Sequence, residues 1–151
     1  MPAAIDEQTA KARTMDKLTL TLPLPPKELS PNASSPWNPK AKWFRIRARK
    51  DYRELIYVCA CQSTPGRRTL VNAKVRMTET YRIAGKRKRD VRNLFAAFKA
   101  GEDGLVDAGI IPGDDDSVLE HGAPKIQRVS GKKDECVVVE IEEIPLLTYE
   151  S

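Results

Sequence analysis

Lys86, Arg87, Lys88, Arg89 and Arg92 crowd around Asp90, and from there the chain runs through Lys99 to three consecutive acids, Asp114, Asp115 and Asp116. Cations at this density seek phosphates, and carboxylates from two separate segments can hold a divalent ion. Together these are what binding and cutting a nucleic acid requires. Hard cations such as Mg²⁺ take oxygen ligands and sit on only one or two carboxylates, with water and phosphate filling the octahedron. Asp90, Asp114, Asp115 and Asp116 are therefore candidate metal ligands. Alone, the triplet reads more readily as a solvated acidic turn, and 86–89 as an exposed basic loop. Asp90 at a second element boundary favours the functional reading, because a helix can bring the two acidic segments together.

Further cations extend the candidate phosphate surface. Arg67 and Arg68 form a pair, and Lys42, Arg45, Arg47, Arg49, Lys50 and Arg53 load one predicted helix, with Arg45 and Arg49 as its candidate DNA contacts. Trp43 and Tyr52 in that helix read as core residues before they read as stacking platforms for bases. His121 is the only histidine; a lone histidine is usually a surface or packing residue, and no role is assigned to it.

The elements that must position these residues fit one domain, since 151 residues bury a real core but not two. Lys plus Arg outnumber Asp plus Glu by 26 to 21, and the isoelectric point near 9.2 makes polyanions plausible partners without singling them out. Cys59, Cys61 and Cys136 lack the spacing of a zinc site and read as reduced cytosolic thiols. No stretch approaches the roughly 20 apolar residues of a membrane span, and the N-terminus has no apolar export segment.

Residues 1–14 are polar and patternless, which predicts a flexible leader, followed by a domain over 15–145 and a short tail over 146–151. KLTLTLPL (17–24) alternates like a strand with one buried face, and Pro23, Pro25 and Pro26 end it. An irregular loop (31–39) anchored by Trp37 should lead to a helix over 41–62. Phe44, Ala48, Leu55, Val58 and Cys59 would face the core there. After a turn at 64–66, residues 69–83 are rich in β-formers. A second helix is predicted over 93–108, with Leu94, Phe98, Gly101 and Leu105 on one face, Gly109 just past its end, and Gly101 and Gly104 weakening it. Two more strands, 123–129 and 135–142, flank a turn at 130–133. The order β-α-β-α-β-β predicts an α+β domain: a small mixed sheet covered by two main helices.

In this order the pieces resemble the RusA family of crossover junction endodeoxyribonucleases, the Holliday junction resolvases of bacteria and their phages. LPLPPKELSPN is similar to the family's opening strand and Pro-rich turn, KRKRDVRNL to its Arg-Asp-x-Asp-Asn-Leu motif, and KAGEDGLVDAGIIPGDDDSV to its helix, glycine and acidic loop. The resemblance implies a cytoplasmic, bacterial or phage-encoded homodimer that binds four-way DNA junctions and uses Mg²⁺, or Mn²⁺ in its place, to make paired nicks. Two related strands at a junction suit a two-fold protein with one site for each. By position, Asp90 and Asp115 match the catalytic aspartates, with Asp114 and Asp116 as neighbours of the second, and Lys99 matches the helix lysine. In this reading the metal would stabilise charge on the scissile phosphate, and Lys99 would assist it.

One departure matters. Where the family has a second aspartate, two positions after the first, this chain has Arg92. A guanidinium about 5 Å from a divalent metal is repelled by several kcal/mol even at an effective dielectric of about 20, so Arg92 cannot stand in for that ligand. Glu102 and Asp103 are the nearby carboxylates able to supply it, although Asp103, four residues from Lys99, equally suits a helix ion pair. The alternative expectation is a catalytically impaired protein that keeps the fold and binds branched DNA without cutting it. A third is a small accessory protein whose basic surface meets an acidic protein partner.

Overall fold

A computed structural model describes residues 17–31, 38–64 and 74–144. The expected leader and tail, Trp37, and the pair Arg67 and Arg68 lie outside the described residues. In chain order the elements are β1 (Lys17–Leu22), a 3-10 turn (Lys27–Leu29), α1 (Pro39–Ser63), β2 (Lys74–Ala84), α2 (Val91–Ala97), α3 (Lys99–Asp107), β3 (Leu119–His121), β4 (Lys125–Val129), a second 3-10 turn (Lys132–Asp134) and β5 (Cys136–Ile144). This is the expected α+β class. No helix among the described residues is long and apolar enough to cross a membrane.

The sheet is mixed. β5 lies between β1 and β2, antiparallel to both. The other edge of β2 carries β3 beside Val75–Met77 and then β4 beside Thr80–Ala84, both parallel to it. Parallel pairing needs a crossover, and α2 with α3 supplies it. Strand alternation places Leu20, Leu22, Val75, Met77, Tyr81, Ile83, Val137, Val139 and Ile141 in the core under the helices. The opposite face is polar and cross-linked: Arg76 Nε donates to Glu120 at 2.5 Å and Arg82 Nε to Gln127 at 3.0 Å.

α1 starts earlier than the apolar pattern suggests, because Asn38 caps it and Pro39 opens it. The Asn38 Oδ1 accepts from the amides of Lys40 at 3.0 Å and Ala41 at 3.4 Å. Its buried face also differs from the expected one. Tyr52, Ile56 and Ala60 are buried with Ala48 and Cys59 beside them, whereas Phe44, Leu55 and Val58 are exposed. Trp43, expected in the core, is 57% exposed. Tyr52 does belong to the core, and its hydroxyl donates to the Pro23 carbonyl at 2.6 Å. Both stripes satisfy the helical period; the neighbour α3 selects between them through Gly104, where a β-carbon would lie 2.6 Å from the Arg53 carbonyl oxygen.

The expected single helix over 93–108 is two helices hinged at Phe98, whose amide still reaches Leu94 O and whose carbonyl still receives Glu102 N, both at 3.0 Å. Its end is as expected: Gly109 sits at φ 74°, and bonds from Gly109 N to Val106 O and Ile110 N to Leu105 O close a Schellman motif. β3 was not anticipated; three residues carry no readable alternation. The last two strands begin at Lys125 and Cys136 and end at Val129 and Ile144.

Candidate functional site

Lys99 opens α3 at the centre of the site. Its Nζ donates to Asp114 Oδ2 at 2.5 Å and Glu102 Oε2 at 2.8 Å, and lies 3.5 Å from Asp103 Oδ1. The helical i, i+3 and i, i+4 spacing supplies Glu102 and Asp103, while Asp114 comes from the loop after α3. The other oxygen of Glu102, a residue only 5% exposed, meets His121 Nε2 at 2.5 Å at the end of β3. Phe95 of α2 packs edge-on to the His121 ring at 5.2 Å. Phe95, Lys99, Glu102, Asp114 and His121 line a cavity of about 510 Å³, and Glu79 of β2 lines it with them.

Partial burial pulls the Lys99 ammonium down, but the carboxylates of Asp114 and Glu102 outweigh it and hold the ammonium above its ordinary value. The same pairing holds the Asp114 carboxyl below the usual carboxylate range. Glu79 is different. It occupies the inward row Val75, Met77, Glu79, Tyr81, Ile83, is 2% exposed, and accepts from the Tyr81 hydroxyl. Burial pushes its carboxyl up to about 7 from an ordinary 4.5, against the opposing pull of the Tyr81 hydrogen bond.

That shift has a sign. Between pH 4.5 and about 7 the unfolded chain ionises Glu79 and the folded chain does not, so the stability present at low pH is lost as pH rises through this window. The loss is on the order of 3 kcal/mol. Glu79→Gln is expected to remove this slope and leave the variant more stable than the native chain at pH 8, read from urea unfolding at pH 4.5, 6 and 8. Parallel pH profiles for the two proteins would contradict it.

The sequence-predicted residues divide. Lys99 and Asp114 share the cluster. Asp115 is turned to its own loop, where Oδ2 accepts from Ser117 Oγ at 2.7 Å and lowers the Asp115 carboxyl; Asp116 is exposed. Asp90 caps α2 by accepting from the Arg92 amide at 2.9 Å, and it borders a separate depression with Lys27, Arg87, Lys88, Arg89 and Asn93. Arg92 is exposed beside it. The basic loop is pinned from β4, where Arg128 donates to the carbonyls of Arg87 at 2.8 Å and Gly85 at 3.3 Å. Arg45 and Arg49 border a third depression with Lys99 and Asp103.

Ala96 at the end of α2 is a wall shared by the Lys99 cavity and the depression of Arg45 and Arg49, and Ala97 beside it is shared by that depression and the one bordered by Asp90. The cations of 86–89, the pair Arg45 and Arg49, and the Lys99 cluster therefore border one another across α2. His121 and Glu79 were missed as site residues. Glu79 had a readable signal, an acid in the inward row of a strand; His121 had none, since its partner Glu102 lies 19 residues away.

Among the described residues no group of three or more His, Cys, Asp and Glu side chains is arranged as a metal cage. The donor chemistry nevertheless fits a hard cation. Oxygens of Asp114, Glu102 and Asp103 converge on one positive charge, now the Lys99 ammonium, and one or two such ligands suffice when phosphate supplies others. No protein-family model matches the sequence, and no curated protein matches it.

Proposed function

We propose that the protein is a RusA-like, Mg²⁺-dependent endonuclease that acts on four-way DNA junctions. The observation that carries this reading is the continuity across α2 between phosphate-seeking cations and the oxygen cluster around Lys99. The basic loop and the Arg45 and Arg49 flank would bind the backbone of the DNA arms with a steep dependence on salt. Asp114 and Glu102 would hold the metal, which supplies charge stabilisation at the scissile phosphate and an activated water. Lys99, released from its carboxylates, would turn to a phosphate oxygen, and the walls Phe95 and Phe98 would limit water around the reacting group.

A second reading, binding of junctions without cleavage, is favoured by the position of Asp90. Its carboxylate caps α2, and Arg92 stands where a further ligand is expected from the resemblance. The two are separated by incubating the purified protein with an end-labelled junction in Mg²⁺ or EDTA, and by comparing its binding to junction and linear duplex at matched salt. Metal-dependent paired nicks support the nuclease. Preferential binding with no nicks supports the second reading, and equal affinity for junction and duplex defeats both.

A further inference from the structure

Lys99 belongs to two depressions at once. It lines the cavity of Glu102, Asp114 and His121, and it lines the smaller one, about 260 Å³, that Arg45, Arg49 and Asp103 border. In the structure its ammonium is on the cavity side, 2.5 Å from Asp114, 2.8 Å from Glu102 and 3.5 Å from Asp103. These are the oxygens a divalent ion would need, at bonds of about 2.0–2.1 Å for Mg²⁺. Two cations cannot share them, because like charges a few ångströms apart repel strongly. Glu102 is only 5% exposed, and a buried carboxylate without a counter-charge is costly, so the ammonium leaves only when another cation takes its place.

The smaller depression suits an anion. Arg45 and Arg49 stand four positions apart on one face of α1. Leu29, Ala97 and Ala100 give the depression apolar walls, and excluding water there strengthens each charge contact. Two guanidiniums and the Lys99 ammonium outnumber its one carboxylate, Asp103. The Lys99 side chain is 56% exposed and carries its charge on a flexible four-carbon stem, so it is free to turn from the carboxylates to an anion seated beside the arginines.

We infer that Lys99 is an interlock between DNA and metal: a backbone phosphate seated between Arg45 and Arg49 draws the ammonium out of the carboxylates, and so opens Asp114 and Glu102 to a divalent ion. The inference rests on the nuclease reading proposed above and adds to it the coupling between its two ligands. The exchange keeps every charge paired. The phosphate gains a third cation, and the carboxylates trade an ammonium for the metal. Linkage makes the effect reciprocal, so a bound metal tightens the hold on DNA by the same factor. In the DNA-free chain the ammonium holds the metal off, which confines hydrolysis to protein already on its substrate.

Titration of the DNA-free full chain with Mn²⁺, read by the paramagnetic resonance of the free ion, tests the interlock without any cleavage. Lys99→Met and Lys99→Gln are each expected to bind Mn²⁺ about tenfold or more tighter than the native chain. Arg49→Gln removes a neighbouring cation but leaves the ammonium on the carboxylates, and is expected to change that affinity by about twofold at most. Anisotropy of a labelled duplex in Mn²⁺ and in EDTA, at matched ionic strength, gives the coupling. That factor is expected to fall about fivefold in Lys99→Met and in Arg49→Gln, and no further in the double variant. Far-UV circular dichroism reports on the fold of each chain. Lysine variants that bind Mn²⁺ no tighter than the native chain, an Arg49→Gln gain as large as theirs, or native coupling in Arg49→Gln would overturn the interlock and leave the nuclease reading standing. No Mn²⁺ binding by any of the chains would defeat both.

Discussion

Asp114→Asn is expected to lower the rate of junction nicking by about 10³-fold, while junction affinity in EDTA changes by no more than about twofold. Asp114 is the loop carboxylate that enters the cavity and faces Lys99 at 2.5 Å, so neutralising it removes a proposed metal ligand and one partner that orients the lysine. Asp115→Asn is expected to cost about tenfold at most, since that side chain braces its own turn through Ser117 and should act through loop geometry. Single-turnover cleavage at saturating Mg²⁺ reads both variants, with binding followed separately. The reverse ranking would mean that the acidic loop turns over when DNA binds. Native rates in Asp114→Asn would remove the cluster from the chemistry altogether. If the native chain does not cut, Arg92→Asp is the change expected to create activity, by placing a carboxylate beside Asp90.

Gly104→Val is expected to cost about 4 kcal/mol, a large share of a total stability in the usual range of about 5–15 kcal/mol. The added β-carbon would meet the Arg53 carbonyl oxygen at 2.6 Å, the Ile56 β-carbon at 3.1 Å and the Tyr57 amide at 3.2 Å. Two of these atoms belong to the α1 backbone, so relief requires the helices to move apart. Separation would open the packing of Ile56 and Leu105 and strain the Arg53–Asp107 bridge. Gly104→Ala is expected to cost about 2 kcal/mol even though alanine favours a helix over glycine by about 1 kcal/mol. Urea unfolding with m-values gives both numbers; an alanine variant as stable as the native chain would show that the two helices are not held at this distance.

Much of the framework was legible along the chain. The alternation of KLTLTL and of VVVEIEE marks strands with one buried face, Gly109 stops α3 because only a glycine takes its backbone without strain, and Gly104 signals an awkward helix position. These are local effects of period and backbone freedom, acting within a few residues. β3 was not legible, because three residues paired to the edge of β2 owe their form to that strand and have no period of their own.

The site was legible only in part. Density of charge picked out 86–92, Lys99 and the acidic triplet, which by itself determined that phosphate-seeking cations and carboxylates occur in one small α+β domain. Only the tertiary structure decided how they meet: Asp114 toward Lys99, Asp115 toward Ser117, Asp90 into a helix cap, and His121 and the buried Glu79 into the same cavity as Lys99. It also decided which side of α1 is core. Apolar residues surround that helix, so its period permits more than one buried face, and the close approach of α3 at Gly104 selects Tyr52, Ile56 and Ala60. The reason is common to both cases. Side-chain type and spacing fix which contacts are possible within a helix or strand, but a hydrogen bond between residues 19 positions apart, or a burial face shared with another helix, depends on distances that only the packed fold sets.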